Sequence, residues 1–175
     1  MRRQFISILL ALFATWPLPA LGGQKSRAHK KPKSNMADTT QISGVKLTAD
    51  LNYEQLKEGE TLLLTVSIKN NSKQAISYVD RSASADFKLD IRNERGIQVG
   101  LTKFGQNFFS SRAYYRVVTT RLEPGQERQY VIEVNKLYDM AAKGDYSIVA
   151  SRTVQIPSRN SIVVTRSSAV KVKII

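Results

Sequence analysis

The stretch Leu122-Glu123-Pro124-Gly125-Gln126-Glu127-Arg128-Gln129-Tyr130-Val131-Ile132-Glu133-Val134-Asn135-Lys136-Leu137-Tyr138-Asp139-Met140-Ala141-Ala142-Lys143-Gly144-Asp145-Tyr146 decides the fold. Pro124 presets φ and Gly125 accepts positive φ, so the pair is a turn. Tyr130, Ile132 and Val134 then alternate with Val131, Glu133 and Asn135, giving a strand with one apolar face. After a short crossover over Leu137 to Lys143, where one helical turn is expected, Tyr146, Ile148 and Ala150 alternate again with Ser147, Val149 and Ser151. Two half-buried strands joined over the end of a sheet predict an all-β sandwich.

Working outward, the same pattern repeats. Val45, Leu47, Ala49 and Leu51 alternate with polar residues, and Glu58-Gly59 marks a turn. Leu62, Leu64, Val66 and Ile68 form the inward set of the next strand, closed by Asn70-Asn71-Ser72-Lys73. A short strand over Ile76, Tyr78 and Asp80 follows. Phe87, Leu89 and Ile91 lead to a hairpin turn at Asn93-Glu94-Arg95-Gly96, from which Ile97, Val99 and Leu101 return. Ile162 to Arg166 and Val170, Val172 and Ile174 read as one last edge strand with a bulge near Ser167-Ser168. Seven to nine antiparallel strands of this spacing, without a disulfide, predict an immunoglobulin-like β-sandwich over residues 42–175. Gly144-Asp145-Tyr146 fits the corner at which such folds anchor a tyrosine through its hydroxyl. Tyr146, Pro124, Gly125 and Gly144 are therefore expected to be structural.

Residues 1–22 resemble an export signal. Arg2 and Arg3 precede an apolar run from Phe5 to Trp16, Pro17 and Pro19 break it, and cleavage is expected after Gly22, with Ala20 and Gly23 as neighbouring alternatives. A spanning helix needs roughly 20 apolar residues, so this run is expected to be removed rather than to anchor. Residues 23–41 then form a basic linker, reaching roughly 25 Å as a flexible coil. The predicted destination is the periplasm or the extracellular space.

The chain has no cysteine. The domain must therefore fold on its apolar core, and 134 residues suffice to bury roughly two-thirds of the unfolded surface. The formal charge is +13, but seven of the 27 basic residues lie in the first 35 and no acidic residue does. The domain itself is mildly basic. The tail from Lys25 to Lys33 offers at most about 5 kcal/mol to an anionic membrane before salt screening, a transient association with the surface.

Chemistry is scarce. The single histidine, His29, lies in the linker, and without cysteine no His- or Cys-based triad or usual zinc site is available. Asp86 and Asp90 are the one carboxylate pair on an expected strand, and a solvated strand face accounts for them. No catalytic residue, metal or cofactor is assigned, and the protein is not expected to be an enzyme. Asn70-Asn71-Ser72 matches a glycosylation sequon, although turn chemistry explains it as well.

Binding is the better reading. The segment Lys103–Arg121 reads as a loop that sets Lys103, Arg112, Arg116 and Arg121 beside Phe104, Phe108, Phe109, Tyr114 and Tyr115, with no acidic residue. Arginine and aromatic side chains dominate interface hot spots, and arginine grips carboxylates or phosphates bidentately. The alternative is that the rings fold back to cap the open edge of the core.

The Leu122-Glu-Pro-Gly, Tyr138-Asp-Met and Gly144-Asp-Tyr146 motifs together resemble the β-domain that precedes the catalytic domain of deuterolysin-like and peptidyl-Lys metalloendopeptidases. Phe87-Lys-Leu-Asp with the later Pro-Gly turn also resembles the BsuPI-type proteinase inhibitor domain. These resemblances imply an accessory or interaction domain. They carry over no catalytic residue, because the peptidase His-Glu-x-x-His motif is not in the chain. The expected function is an exported module that recognises a protein or an anionic envelope component, not nucleic acid. The alternative is an inhibitor or regulator of an exported peptidase. A monomer is expected outside any complex; a surface-assembly subunit would instead pair along Val170–Ile174, where Lys171 and Lys173 discourage it.

Overall fold

The computed structural model describes residues 44–111, 117–156 and 160–175. Ten strands and three short helices occupy them, in the order β1 (Val45–Leu51), β2 (Gln55–Leu56), β3 (Leu63–Asn70), β4 (Ile76–Asp80), α1 (Ala83–Asp86), β5 (Lys88–Asn93), α2 (Lys103–Ser110), β6 (Val118–Leu122), β7 (Glu127–Glu133), α3 (Val134–Leu137), β8 (Gly144–Ile156), β9 (Ser161–Arg166) and β10 (Val170–Ile174).

Two sheets face each other. The smaller has the order β1-β3-β7, antiparallel throughout, with Leu47 opposite Ile68 and Val66 opposite Tyr130. The larger is organised by the 13-residue β8. β10 and then β9 run along one edge of β8. β5 and then β4 lie along its other edge, and β6 extends the sheet beyond β4. One pairing is parallel: the two residues of β2 lie against the end of β10. β9 and β10 behave as one strand interrupted at Ser167, whose N–H donates to the Ala150 carbonyl while its hydroxyl accepts from the Ala150 N–H. The fold is an all-β, immunoglobulin-like sandwich without a disulfide.

The alternation that builds the strands also builds the core. Leu47, Leu64, Val66, Ile68, Ile132 and Ile148 are fully buried between the sheets. Packing of such side chains contributes roughly 1.5–3 kcal/mol each. The turns form where the sequence places them. Gly125 has φ +81° and Gln126 N–H donates to Glu123 at 3.1 Å, a turn with Pro124 and Gly125 at its centre. Gly96 has φ +74°, and Ile97 and Asn93 close the hairpin around it. The Tyr146 hydroxyl donates to the Ala142 carbonyl at 2.7 Å, pinning the corner before β8.

Three details differ from the sequence reading. The helical turn near 137–143 forms earlier, over Val134–Leu137, because Asn135 ties this segment to the start of β3: it accepts from Leu62 N–H and donates to Glu60. Ile97 to Leu101 returns only as isolated bridges, Arg92 to Gln98 and Leu101 to Tyr138, since the chain leaves β5 at Gly100 to enter α2. Asp86 does not share a strand with Asp90. Ser82 caps the short helix α1 by accepting from Ala85 N–H, and Asp86 ends that helix before β5 begins.

Candidate functional site

The segment expected as a loop opens with a helix. The Thr102 hydroxyl accepts from Gly105 N–H at 2.9 Å and donates to the Lys136 carbonyl at 2.6 Å, so one side chain both caps α2 and ties it to α3. Thr102 N–H also donates to Leu137 at 3.0 Å. Gly105 is the one buried residue of α2, and its backbone presses on the Leu137 carbonyl so closely that a Cβ there would collide with it. Glycine is required at this point by close approach, not by φ.

This docking fixes where the rings go. Phe104 and Phe108 sit four positions apart on one face, with ring centroids 6.2 Å apart. Phe108 packs against the core and meets Phe109 edge-on at 5.1 Å. Phe109 continues to Tyr138, whose hydroxyl is held neutral by burial, which pushes its pKa up. Phe104 and Phe109 remain 48% and 43% exposed, so the rings divide: one caps the core and two face water. The Lys136 ammonium lies 4.8 Å from the Phe104 ring centre and 3.7 Å from Glu133. Lys103 stands at the first position of α2, which carries no acidic residue. Arg112, Tyr114, Tyr115 and Arg116 lie outside the described residues. Arg121 lies on β6, exposed and paired with Glu123 at 2.7 Å. Beside the start of α2 runs an open groove of about 380 Å³, whose lining includes Lys57, Glu60, Thr102, Asn135 and Asp139. The two exposed rings can receive an apolar side chain, while the groove, lined by Glu58, Glu60 and Asp139 as well as Lys57, does not favour an anion.

A second cluster lies inside the sandwich and escaped the sequence reading. Arg152 occupies an inward position of β8, in register with the buried Ala150 and Val154, and only 1% of its side chain is exposed. Its guanidinium lies over the rings of Tyr78, Phe87 and Tyr130, at 4.3, 4.6 and 4.9 Å from their centres. Nη2 donates to the Val79 carbonyl at 2.6 Å and lies 3.5 Å from Asp86 and 3.8 Å from Asp80. Nη1 is buried without a hydrogen-bond partner. Asp86 is held from the other side by Arg81, through both its backbone N–H and its guanidinium. Asp80 accepts from the Tyr130 and Thr120 hydroxyls, both at 3.0 Å, and pairs with Arg128 at 3.5 Å. Burial, then the hydrogen bond to Tyr78, pushes the Tyr130 pKa far above its ordinary value. The cluster ties β4, β6, β7 and β8 together by aromatic stacking and charge. The one signal for it in the sequence was a charged residue falling on the apolar side of the alternation that begins at Tyr146.

Asn70 is also part of the framework. It is fully buried, donates to the Gln74 and Leu122 carbonyls and accepts from Ser72 N–H and hydroxyl. The sequon nitrogen is thus committed to the fold. Among the described residues, no group of three or more His, Cys, Asp or Glu is placed to hold a metal.

No protein-family model matches the chain, and no curated protein matches it. Similar solved structures include the C-terminal domain of Wzt, at 11% identity over 79% of this chain and 77% of that one, with a TM-score of 0.48. Another is the sporulation control protein Spo0M from Bacillus subtilis, at 16% identity over 76% and 50%, with a TM-score of 0.41. A third is the CARDB domain of a Pyrococcus furiosus protein, at 15% identity over 77% and 97%, with a TM-score of 0.34.

Proposed function

We propose that this protein is an exported, non-catalytic accessory module that binds a protein or an anionic envelope component through α2 and the basic, aromatic segment that follows it to Arg121. The observation that carries this reading is the exposure of Phe104 and Phe109 on a helix locked to α3 by Thr102 and Gly105. Rings held in place before binding lose little conformational freedom on contact, so their burial goes into affinity. Lys103 beside them, with no acid on α2, favours a partner with an apolar anchor next to carboxylates or phosphates. Replacing Arg112 and Arg116 with Ala weakens binding without lowering stability under this reading; unchanged binding removes that segment from the site.

Export rests on the basic, apolar and proline-broken pattern of residues 1–22, and a periplasmic or extracellular location follows from it. The tail between Lys25 and Lys33 raises the local concentration of the module near an anionic surface and does not anchor it. A non-catalytic role is supported by the lack of cysteine and by the single His29 in the linker. The second reading, an inhibitor or regulator of an exported peptidase, rests on the resemblance to peptidase-associated and BsuPI-type domains. It requires that the intact protein slow a serine or metallopeptidase at a stoichiometric ratio and remain uncut.

A further inference from the structure

Edge strands expose unpaired backbone groups, and proteins guard them with charges, prolines, bulges or a covering segment. Most edges of this sandwich are guarded. β10 carries Lys171 and Lys173 and has β2 against its end. β7 carries Glu127, Arg128 and Glu133, β1 carries Lys46 and Asp50, and β6 carries Arg121. β9 is different. Its one charge, Arg166, is its last residue; from Ser161 to Thr165 it has no charge and no proline, and among the described residues no strand pairs with the edge it turns away from β8. Before Arg166 its outward side chains are apolar and in water: Ile162 is 74% exposed and Val164 48%.

The geometry points to a second copy of this chain as the occupant, paired antiparallel along β9 so that the two larger sheets become one. A two-fold axis normal to the sheet keeps outward residues outward only when the paired positions differ by an even number. Three centres are possible on this short strand. Centring on Val164 sets Ile162 against the charged Arg166, and centring on Ile162 sets Val164 against Asn160. Centring on Val163 sets Ile162 against Val164 of the second copy, twice, and Arg166 against the uncharged Asn160. Only this last register makes two apolar cross-strand pairs and leaves no charge facing an apolar side chain. Its occupant is thus selected by self-complementarity, and the proposed dimer departs from the monomer expected from the sequence. Binding through α2 does not depend on it.

The test uses the full chain. Sedimentation velocity over about 1–100 µM, where a weak dimer's population tracks protomer concentration, is expected to show a monomer–dimer equilibrium. Ile162→Lys with Val164→Lys, both at exposed positions, is expected to raise the dissociation constant at least about tenfold (~1.4 kcal/mol) while the melting curve at the low end of that range, where the monomer dominates, stays unchanged. Because the chain has no native cysteine, an oxidised mixture of the Ile162→Cys and Val164→Cys variants is expected to cross-link to each other, since directly opposed Cβ atoms lie about 4.5–5.5 Å apart. A monomer at every concentration overturns the inference. So does a dimer that tolerates both lysines and gives no mixed cross-link.

Discussion

Nη2 of Arg152, on the inward face of β8, donates a 2.6 Å hydrogen bond to the backbone carbonyl of Val79 in β4. Among the described residues these two strands meet by one paired position, Ser77 with Gln155, so the guanidinium fastens a seam that the backbone ladder leaves thin. It can be buried there because three rings stack on it and two carboxylates face it. Removing one partner of such a group leaves uncompensated charge on the others. Arg152→Met is therefore expected to lower stability by about 3–5 kcal/mol, measured by urea unfolding. A loss below about 1 kcal/mol, the scale of an exposed pair, would show that the cluster is incidental.

Tyr130 extends the same cluster to a pH effect. Its phenol is held protonated by burial first and by the Tyr78 contact second, so its folded pKa lies above the value of about 10 for an unfolded tyrosine. Below pH ~10 both states keep the proton and this group adds no pH dependence. Above it the unfolded chain loses its proton first, and stability falls as pH rises. Tyr138 and Tyr146 act in the same direction. Unfolding midpoints are expected to decline between pH ~9.5 and ~11.5, and less steeply in Tyr130→Phe. An equal slope in the variant would place the titration elsewhere.

Gly105 offers a sharp contrast between local and tertiary effects. Alanine is the better helix former by about 1 kcal/mol, so propensity alone predicts that Gly105→Ala stabilises α2. The Leu137 carbonyl occupies the space that the methyl needs. Forcing it in is expected to cost about 1–3 kcal/mol and to speed amide exchange across Lys103–Ser110. A variant as stable as the parent would mean that α2 is not docked on α3 as described.

Asn70 joins the end of β3 to the turn after Gln74 and to the end of β6. Asn70→Ala leaves the Leu122 carbonyl and the Ser72 N–H without their partner. A loss of about 1–3 kcal/mol is expected, read as a lowered melting temperature. Asn71→Ala, at an exposed neighbour, is expected to change little.

The fold was legible where its causes are local. Pro124-Gly125, Asn93 to Gly96 and most strand alternations are set by φ preferences and by a period of two, and they formed as read; Ile97 to Leu101 and Val134 are the exceptions. Gly144-Asp145-Tyr146 was legible because its hydroxyl contact lies four residues away. Helix α2 was not, since Phe104-Gly105-Gln106-Asn107 has weak helix propensity and the helix depends on Leu137, more than thirty residues on. Arg152 was missed for a related reason. A charge in an apolar register looks like the end of a strand until Tyr78, Phe87 and Tyr130 are known to converge on it from three other segments. Asp86 looked like a strand-face carboxylate because Ser82, its helix cap, carries no strong signal alone.

Capture from an envelope extract tests the central claim most directly. Four baits are compared through a salt series: the chain from Gly23, a tailless form from Ile42, and each of these with Phe104→Ser and Phe109→Ser. The account predicts one discrete partner, retained at high salt by both forms with intact rings and lost when the two rings are replaced. A mixed set that leaves at moderate salt, follows the tail and ignores the rings would contradict it.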